Sequence, residues 1–447
     1  MKYSVITFGC RVNQADSLGF EEDLRAAGGE VDSPEHAELV VVNTCSVTAS
    51  ADQSARQTIR RVARTNPGAR IIVTGCYATR LPDELRDLPG VMRVVPNDDK
   101  PRMIRLAVAG GAFSQPGNRA ASASMTTAER FADGDGGCGA PIEPGVAGRT
   151  AFTLCVQTGC AEPCSYCIIP TTRGAPRSVE LEAVLADVDR ILGAGFKEIA
   201  LTGVHLGSYG RDLSPRSSLL ELLSALDRGG VDVLFRISSL EPMDCAPAIV
   251  DLVACSGRFA RHFHLPLQHA SNRVLASMRR PYSVEQYSAL VDRIRARMPD
   301  ASIGSDLIVG FPGETEDDFE QLAFYLERSP LTHLHVFPYS DRPGTAASSM
   351  TERVPGAAIR ERAKRIREIG QRLTKRFRAS QVGTVHRGLT LEDGTLVMTG
   401  NYLKVRIPAG HARNEWVDVR IVADGDALIG ELGATGDETS RSNARSL

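Results

Sequence analysis

The sequence predicts an α/β chain in three parts: an N-terminal open parallel α/β domain, a central partial (βα)6 barrel and a small C-terminal all-β barrel. Three observations carry this. Residues 1–108 alternate short Val- and Ile-rich runs with helical stretches. From about residue 150 to 345, six further strand-like runs alternate with helical ones. After Ser380 the chain turns to short β runs separated by glycine turns. A length of 447 residues fits roughly three domains of about 150 residues each.

In the first part, Tyr3–Phe8, Leu39–Val42 and Arg70–Thr74 are apolar runs bounded by polar residues or glycine, the pattern of strands buried on both faces. Ser17–Ala27 and Ala49–Thr65 between them read as helices. A cysteine follows each run: Cys10, Cys45 and Cys76. Ligands of open parallel sheets gather beyond the carboxyl ends of the strands, so these three thiols are placed to converge. They are separated by 34 and 30 residues and form no compact motif. From the residues alone, burial as core cysteines is an equal reading.

Residues 109–148 are mostly Gly, Ala, Ser, Thr, Asp and Pro, and read as a flexible linker with Cys138 a bystander. The domain that follows, 149–379, carries strand candidates Phe152–Gln157, Glu198–Thr202, Leu234–Ser238, His262–Leu267, Ile303–Val309 and His333–Phe337. Val184, Leu185, Val188, Ile191 and Leu192 recur at helical spacing, and Ser283 with Gln286 forms a capping-box pattern. Functional residues of such barrels lie at strand C-termini and in the loops beyond. Residues 356–380 form a basic helix, with nine Lys or Arg and two Glu between Arg360 and Arg378. The third domain, 380–433, shows β runs at Gly383–Arg387, Leu389–Leu391, Leu396–Thr399, Leu403–Ile407 and Trp416–Val422. The polar tail 434–447 is expected to be disordered.

Composition narrows the class. Hydrophobic residues are 42% and charged residues 24%, which excludes extended disorder as the main state. The net charge of −2 announces no global polyanion binder, so any basic face is local. No segment approaches the ~18 consecutive apolar residues of a membrane helix. Met1–Gln14 has neither an apolar core nor a small-residue cleavage site, so the expected compartment is the cytoplasm. Ten cysteines in a cytosolic chain point to metal binding or catalysis rather than disulfides.

The strongest chemical signal is Cys160-Ala-Glu-Pro-Cys164-Ser-Tyr-Cys167, three thiols just after the first barrel strand. Structural zinc takes four ligands, and no fourth Cys or His is near in sequence. Iron–sulfur clusters are held by thiolates, and three of them leave one iron of a four-iron cluster open. A zinc knuckle with a distant fourth ligand, or three unrelated buried cysteines, are the bland alternatives.

This C-x3-C-x2-C spacing at a first barrel strand resembles the radical S-adenosylmethionine (SAM) superfamily. The wider context is similar to its methylthiotransferase family. The matching segments are TFGCRVNQADS, VVNTCSVTASADQSARQTIRR, VTGCYA, CSYCIIPTTRG, ISSLEP, HLPLQHASNRVLASMRRPYS, DLIVGFPGETEDDF and HVFPYSDRPGT. NTCSVTASADQSARQTIRR and LTGVHLGSYGRDL resemble the subgroup acting on N6-threonylcarbamoyladenosine in tRNA, and residues 380–433 are similar in place and size to its TRAM barrel.

The resemblance implies two [4Fe-4S] clusters, one on Cys160, Cys164 and Cys167 that binds SAM, and an auxiliary one on Cys10, Cys45 and Cys76 that holds the sulfur to be inserted. It implies a 5′-deoxyadenosyl radical that abstracts hydrogen from C2 of the modified adenosine at tRNA position 37, and a second SAM that methylates the sulfur. No catalytic residue beyond the cofactors is expected. Expected SAM contacts are Thr202, Gly203, Ser239, Glu241, Gln268 and Gly310. Arg173 is placed to meet a carboxylate or phosphate, or to form a surface ion pair. Expected RNA contacts are Arg365, Arg372, Lys375 and Arg376 on the basic helix, whose charge exceeds what i,i+4 pairing balances, and Lys404 and Arg406 beyond it. Arg56, Arg60, Arg61 and Arg64 offer a second basic face. The implied partners are tRNA, an electron donor and a sulfur donor, with no membrane and a monomeric chain. Alternative substrates within the family are isopentenyladenosine-37 tRNA and a ribosomal protein side chain. The chain departs from the family pattern at Cys155, Ala270 and Asn272.

Overall fold

The structure, a computed structural model, describes residues 1–108, 150–391 and 393–432. The expected linker at 109–148, with Cys138, and the expected tail at 434–447 lie outside the described residues.

The N-terminal sheet runs β1 (Lys2–Thr7), β2 (Glu30–Val31), β3 (Leu39–Thr44), β4 (Arg70–Gly75) and β5 (Val91–Val95), in the spatial order β2-β1-β3-β4-β5. All its pairings are parallel. Every residue of β3 is buried, because helices cover both faces of the sheet. One face packs under α1 (Arg11–Ala26), the other under α2 (Ala49–Thr65). Thr48 caps α2 by accepting the Ala51 N–H at 3.2 Å, which fixes the helix start. The short helix α3 (Cys76–Arg80) begins at the end of β4.

The central domain carries β6 (Ala151–Thr158), β7 (Arg177–Ser178), β8 (Glu198–Gly203), β9 (Leu234–Ile237), β10 (His262–His264), β11 (Ser302–Val309) and β12 (His333–Pro338). The parallel run β6-β8-β9 meets the parallel run β10-β11-β12 through a bridge between Ser239 and His264, giving a six-stranded open barrel. Its helices lie outside, and the largest apolar core fills the space between helices and strands. The capping box at Ser283 is present, with the Ser283 N–H donating to Gln286 at 2.8 Å.

The basic segment is one long helix, Gly356–Ser380, packed on β12 and on the helix Glu316–Arg328. The C-terminal strands Val385–Leu391, Leu396–Thr399, Lys404–Arg406, Trp416–Asp424 and Leu428–Leu432 close into a barrel around Val397, Val405, Val419 and Ile421.

Polar contacts, most of them buried, join the three parts. Arg236 on β9 is 1% exposed. It pairs with Glu198 at 2.8 Å and donates to the carbonyls of Gly400 and Thr399 in the C-terminal barrel. Arg342, after β12, pairs with Asp52 of α2 at 2.7 Å. Arg173 donates to Asp16 of α1 at 3.0 Å. Arg11 donates to the Tyr402 hydroxyl, linking the first domain to the third. Among the described residues, no helix is long and apolar enough to cross a membrane.

Candidate functional site

Cys10, Cys45 and Cys76 stand just beyond the carboxyl ends of β1, β3 and β4, three neighbouring strands. Glycines make the approach possible. Gly9 has φ +93°, and a Cβ on it would lie 2.5 Å from the Cys45 Cβ, so the Cys10 and Cys45 segments touch. Gly75 has φ +102°, and its Cβ would lie 2.1 Å from the Thr44 carbonyl oxygen, so the chain entering Cys76 presses on the backbone leading to Cys45. We expect Gly75→Ala to destabilise the fold by about 3 kcal/mol, from strain at positive φ plus overpacking against backbone. Denaturant unfolding measures the loss, and bound iron at the first triad should fall with it.

Charge at this triad is uneven. Burial pushes the Cys45 thiol up to about 12. Burial also works against the Cys76 thiolate, but Arg173 and Lys100 outweigh it and hold its pKa below the usual value. The Asn97 amide donates to the Cys76 sulfur at 3.8 Å and to the Thr172 carbonyl at 2.8 Å, tying the triad to the barrel.

The second triad lies in the loop after β6. Burial raises the Cys167 thiol to about 12. Cys164 accepts a hydrogen bond from Arg280 at 3.1 Å. The same guanidinium ion-pairs with Glu241, so the expected SAM contact is joined to Cys164 through one buried arginine. The Cys160 sulfur lies 3.8 Å from Nδ1 of His205, whose Nε2 is 2.7 Å from Asp244. Arg280, His205 and Asp244 had no role in the sequence reading. Arg280 sits within MRRPYS and His205 within LTGVHLGSYG, but their partners are remote in sequence.

Arg173 is neither exposed nor a surface pair. It is buried and raised well above its usual value, because attraction to Asp16 and the nearby thiols outweighs burial. Its neighbour Gly174 accepts the Cys160 N–H at 3.0 Å, so this short segment touches both triads. Thr202 and Gly203 end β8, Ser239 and Gln268 follow β9 and β10, and Gln268 has φ +67°. Gly310 has a packing role of its own. A Cβ there would meet Ile359 of the long helix at 2.4 Å, and its N–H donates to Glu314. The glycine makes room for a helix, and its amide is already used. Cys155 bonds the Gln157 carbonyl at 3.4 Å within β6, away from the cluster loop.

The basic helix is more self-satisfied than its composition suggests. Arg365 and Arg372 pair with Glu320 and Glu327 of the preceding helix, and Arg376 donates to the Ser329 carbonyl. Lys375, Lys404 and Arg406 are exposed.

The comparisons with known proteins agree with this layout. Residues 2–96 match the family described as Uncharacterized protein family UPF0004, and residues 154–326 match the Radical SAM superfamily. Threonylcarbamoyladenosine tRNA methylthiotransferase MtaB of Bacillus subtilis is 34% identical over 444 residues, covering 94% of this chain and 96% of that protein. The protein of the same name from Aquifex aeolicus is 36% identical over 418 residues, covering 91% and 96%. This chain belongs to the radical SAM methylthiotransferase family. The family fold also aligns with a solved radical S-adenosylmethionine methyltransferase, TsrM from Kitasatospora setae, at TM-score 0.54 and 16% identity over 78% of this chain and 75% of that one.

The residues present fit the family's two [4Fe-4S] clusters and SAM. Each site offers three sulfurs, the donor type that iron–sulfur clusters take. Among the described residues, neither triad closes to the single-ion spacing of 4.8 Å, which is met only by His264, Asp306 and His335. Thiols as buried as Cys45 and Cys167 stay protonated alone, and need bound metal charge to become ligands.

Proposed function

We propose that this chain inserts a methylthio group at C2 of N6-threonylcarbamoyladenosine at position 37 of tRNA. One observation carries the reading: the likeness to the MtaB proteins runs through all three parts of the chain, not through the radical SAM barrel alone. Bound to this chain, the clusters supply the electron for SAM cleavage and the sulfur for insertion.

The residues divide the work by domain. In 1–108, Cys10, Cys45 and Cys76 hold the auxiliary cluster. In 149–379, Cys160, Cys164 and Cys167 hold the SAM-binding cluster. Arg280 keeps one sulfur of that set and the Glu241 carboxylate in a fixed relation. Thr202, Gly203, Ser239, Glu241 and Gln268 line the side on which SAM is bound. Arg173, clamped between the two cysteine segments, fixes how they face each other. The 380–433 barrel acts as a TRAM-type RNA module, with the exposed Lys404 and Arg406, and Lys375 of the helix, meeting phosphates. Arg365 and Arg372 exchange Glu320 and Glu327 for phosphate when tRNA docks. Position 37 lies in a single-stranded loop, so its base can be splayed into a pocket at modest cost. An external electron donor and sulfur donor complete the reaction, in the cytoplasm and with the chain as a monomer.

The deciding experiment is mass spectrometry of tRNA nucleosides from a strain lacking the gene beside its parent. The methylthio form of threonylcarbamoyladenosine should vanish and its precursor accumulate. An unchanged nucleoside would overturn the substrate assignment.

A further inference from the structure

We propose that His264, Asp306 and His335 form a binding site for a divalent transition-metal ion in the wall of the barrel, separate from both thiol triads. The three residues come from three adjacent parallel strands, β10, β11 and β12. Asp306 is directly opposite His335 in register, and His264 is opposite Gly304, one same-face step from Asp306. Nε2 of His264 and Nδ1 of His335 lie 2.9 and 3.1 Å from the same carboxylate oxygen of Asp306. All three donor atoms are within 4.8 Å of one another.

The surroundings are those of a site rather than of a chance contact. Gly304 leaves a gap on this face, and a Cβ there would collide with His333 at 2.0 Å. His333 fills that gap, its ring 6.1 Å from His264 and 5.6 Å from His335. His262 stacks on His333 at 6.0 Å, so four imidazoles share one wall with a single carboxylate. The triad is reachable from solvent: its side chains are 13%, 26% and 56% exposed for His264, Asp306 and His335. Ligands carried by paired strands keep their geometry without an ion, which lowers the cost of binding.

Two imidazoles and one carboxylate on one side suit a borderline ion such as Mn2+, Fe2+ or Zn2+, with its remaining positions open to water or another oxygen ligand. The competing reading is a metal-free set in which two imidazole N–H groups donate to Asp306.

The test uses the reconstituted holoenzyme, with its clusters oxidised and the six thiols engaged. Mn2+ is titrated in and free aqueous Mn2+ is read by electron paramagnetic resonance, with Zn2+ as competitor. One saturable Mn2+ per chain, displaced by Zn2+, is expected. Asp306→Asn and His335→Gln should each weaken it by about tenfold or more, since even residues behind a metal ligand matter that much. Iron and sulfide content should stay at the parent level. Absence of saturable Mn2+ binding in the parent, or equal binding in the folded variants, would overturn the site. His335→Gln keeps the test decisive if Asp306→Asn fails to fold, because His335 is the most exposed of the three. Binding is read without turnover, so failure here leaves the proposed reaction untouched.

Discussion

Cys160→Ala should reduce formation of 5′-deoxyadenosine from SAM to background in the anaerobic, chemically reduced protein. The substitution removes one of three sulfurs from a loop whose other two thiols are held elsewhere, Cys164 by Arg280 and Cys167 within the buried side of the loop. His205 sits beside Cys160 with its far nitrogen held by Asp244, but an imidazole is not the thiolate that such a cluster takes. Bound iron should fall by roughly half, because one of two thiolate sites is broken. The fold itself has little at stake. Cys160 is only half-buried, and a small side chain replaces it, so unfolding stability should change by about 1 kcal/mol or less. If 5′-deoxyadenosine formed at the parental rate, this loop would not be where SAM is cleaved.

That cysteine loop was legible because its chemistry is local. Three thiols within eight residues carry their own meaning, and the strand before them has a clear apolar pattern. What lay far apart in sequence was not legible. Arg280 reaches Cys164 across 116 residues, and Asp244 reaches His205 across 39. The basic helix shows the same blindness in reverse. Counting charge along one helix suggested a bare cationic face, yet Glu320 and Glu327, each 45 residues upstream of the arginine it meets, neutralise part of it. Strand limits failed where backbone geometry intervened. The run read as His262–Leu267 stops pairing regularly at His264, since proline at 266 cannot donate to a ladder and Gln268 adopts φ +67°. Two runs read as Gly383–Arg387 and Leu389–Leu391 are one strand. Gly388 does not break it but admits Val397, whose methyl would lie 2.4 Å from a Cβ there. The last strand, Leu428–Leu432, escaped notice because it is only five residues long and contains a glycine.

Cys45→Ala should separate the two chemistries. Cys45 belongs to the other domain, is buried, and feels Cys76 and Cys10, while Arg173 feels Cys76 and Cys10 in turn. Alanine is smaller than cysteine, so the close approach of Gly9 remains comfortable and the sheet should fold. The auxiliary site then keeps only two sulfurs, and transfer of sulfur to tRNA should stop. SAM cleavage should survive at least in part. It need not survive fully, because Arg173 lies in the field of Cys10 and Cys76 while its neighbour Gly174 holds the Cys160 amide, so loosening one triad is felt at the other. The informative quantity is therefore the ratio of 5′-deoxyadenosine to methylthiolated nucleoside. In Cys160→Ala both products disappear together; in Cys45→Ala only the second does. Full methylthiolation by Cys45→Ala would sink the two-cluster assignment. Loss of both products with an intact fold would mean that the strand-end cysteines serve SAM cleavage rather than sulfur supply.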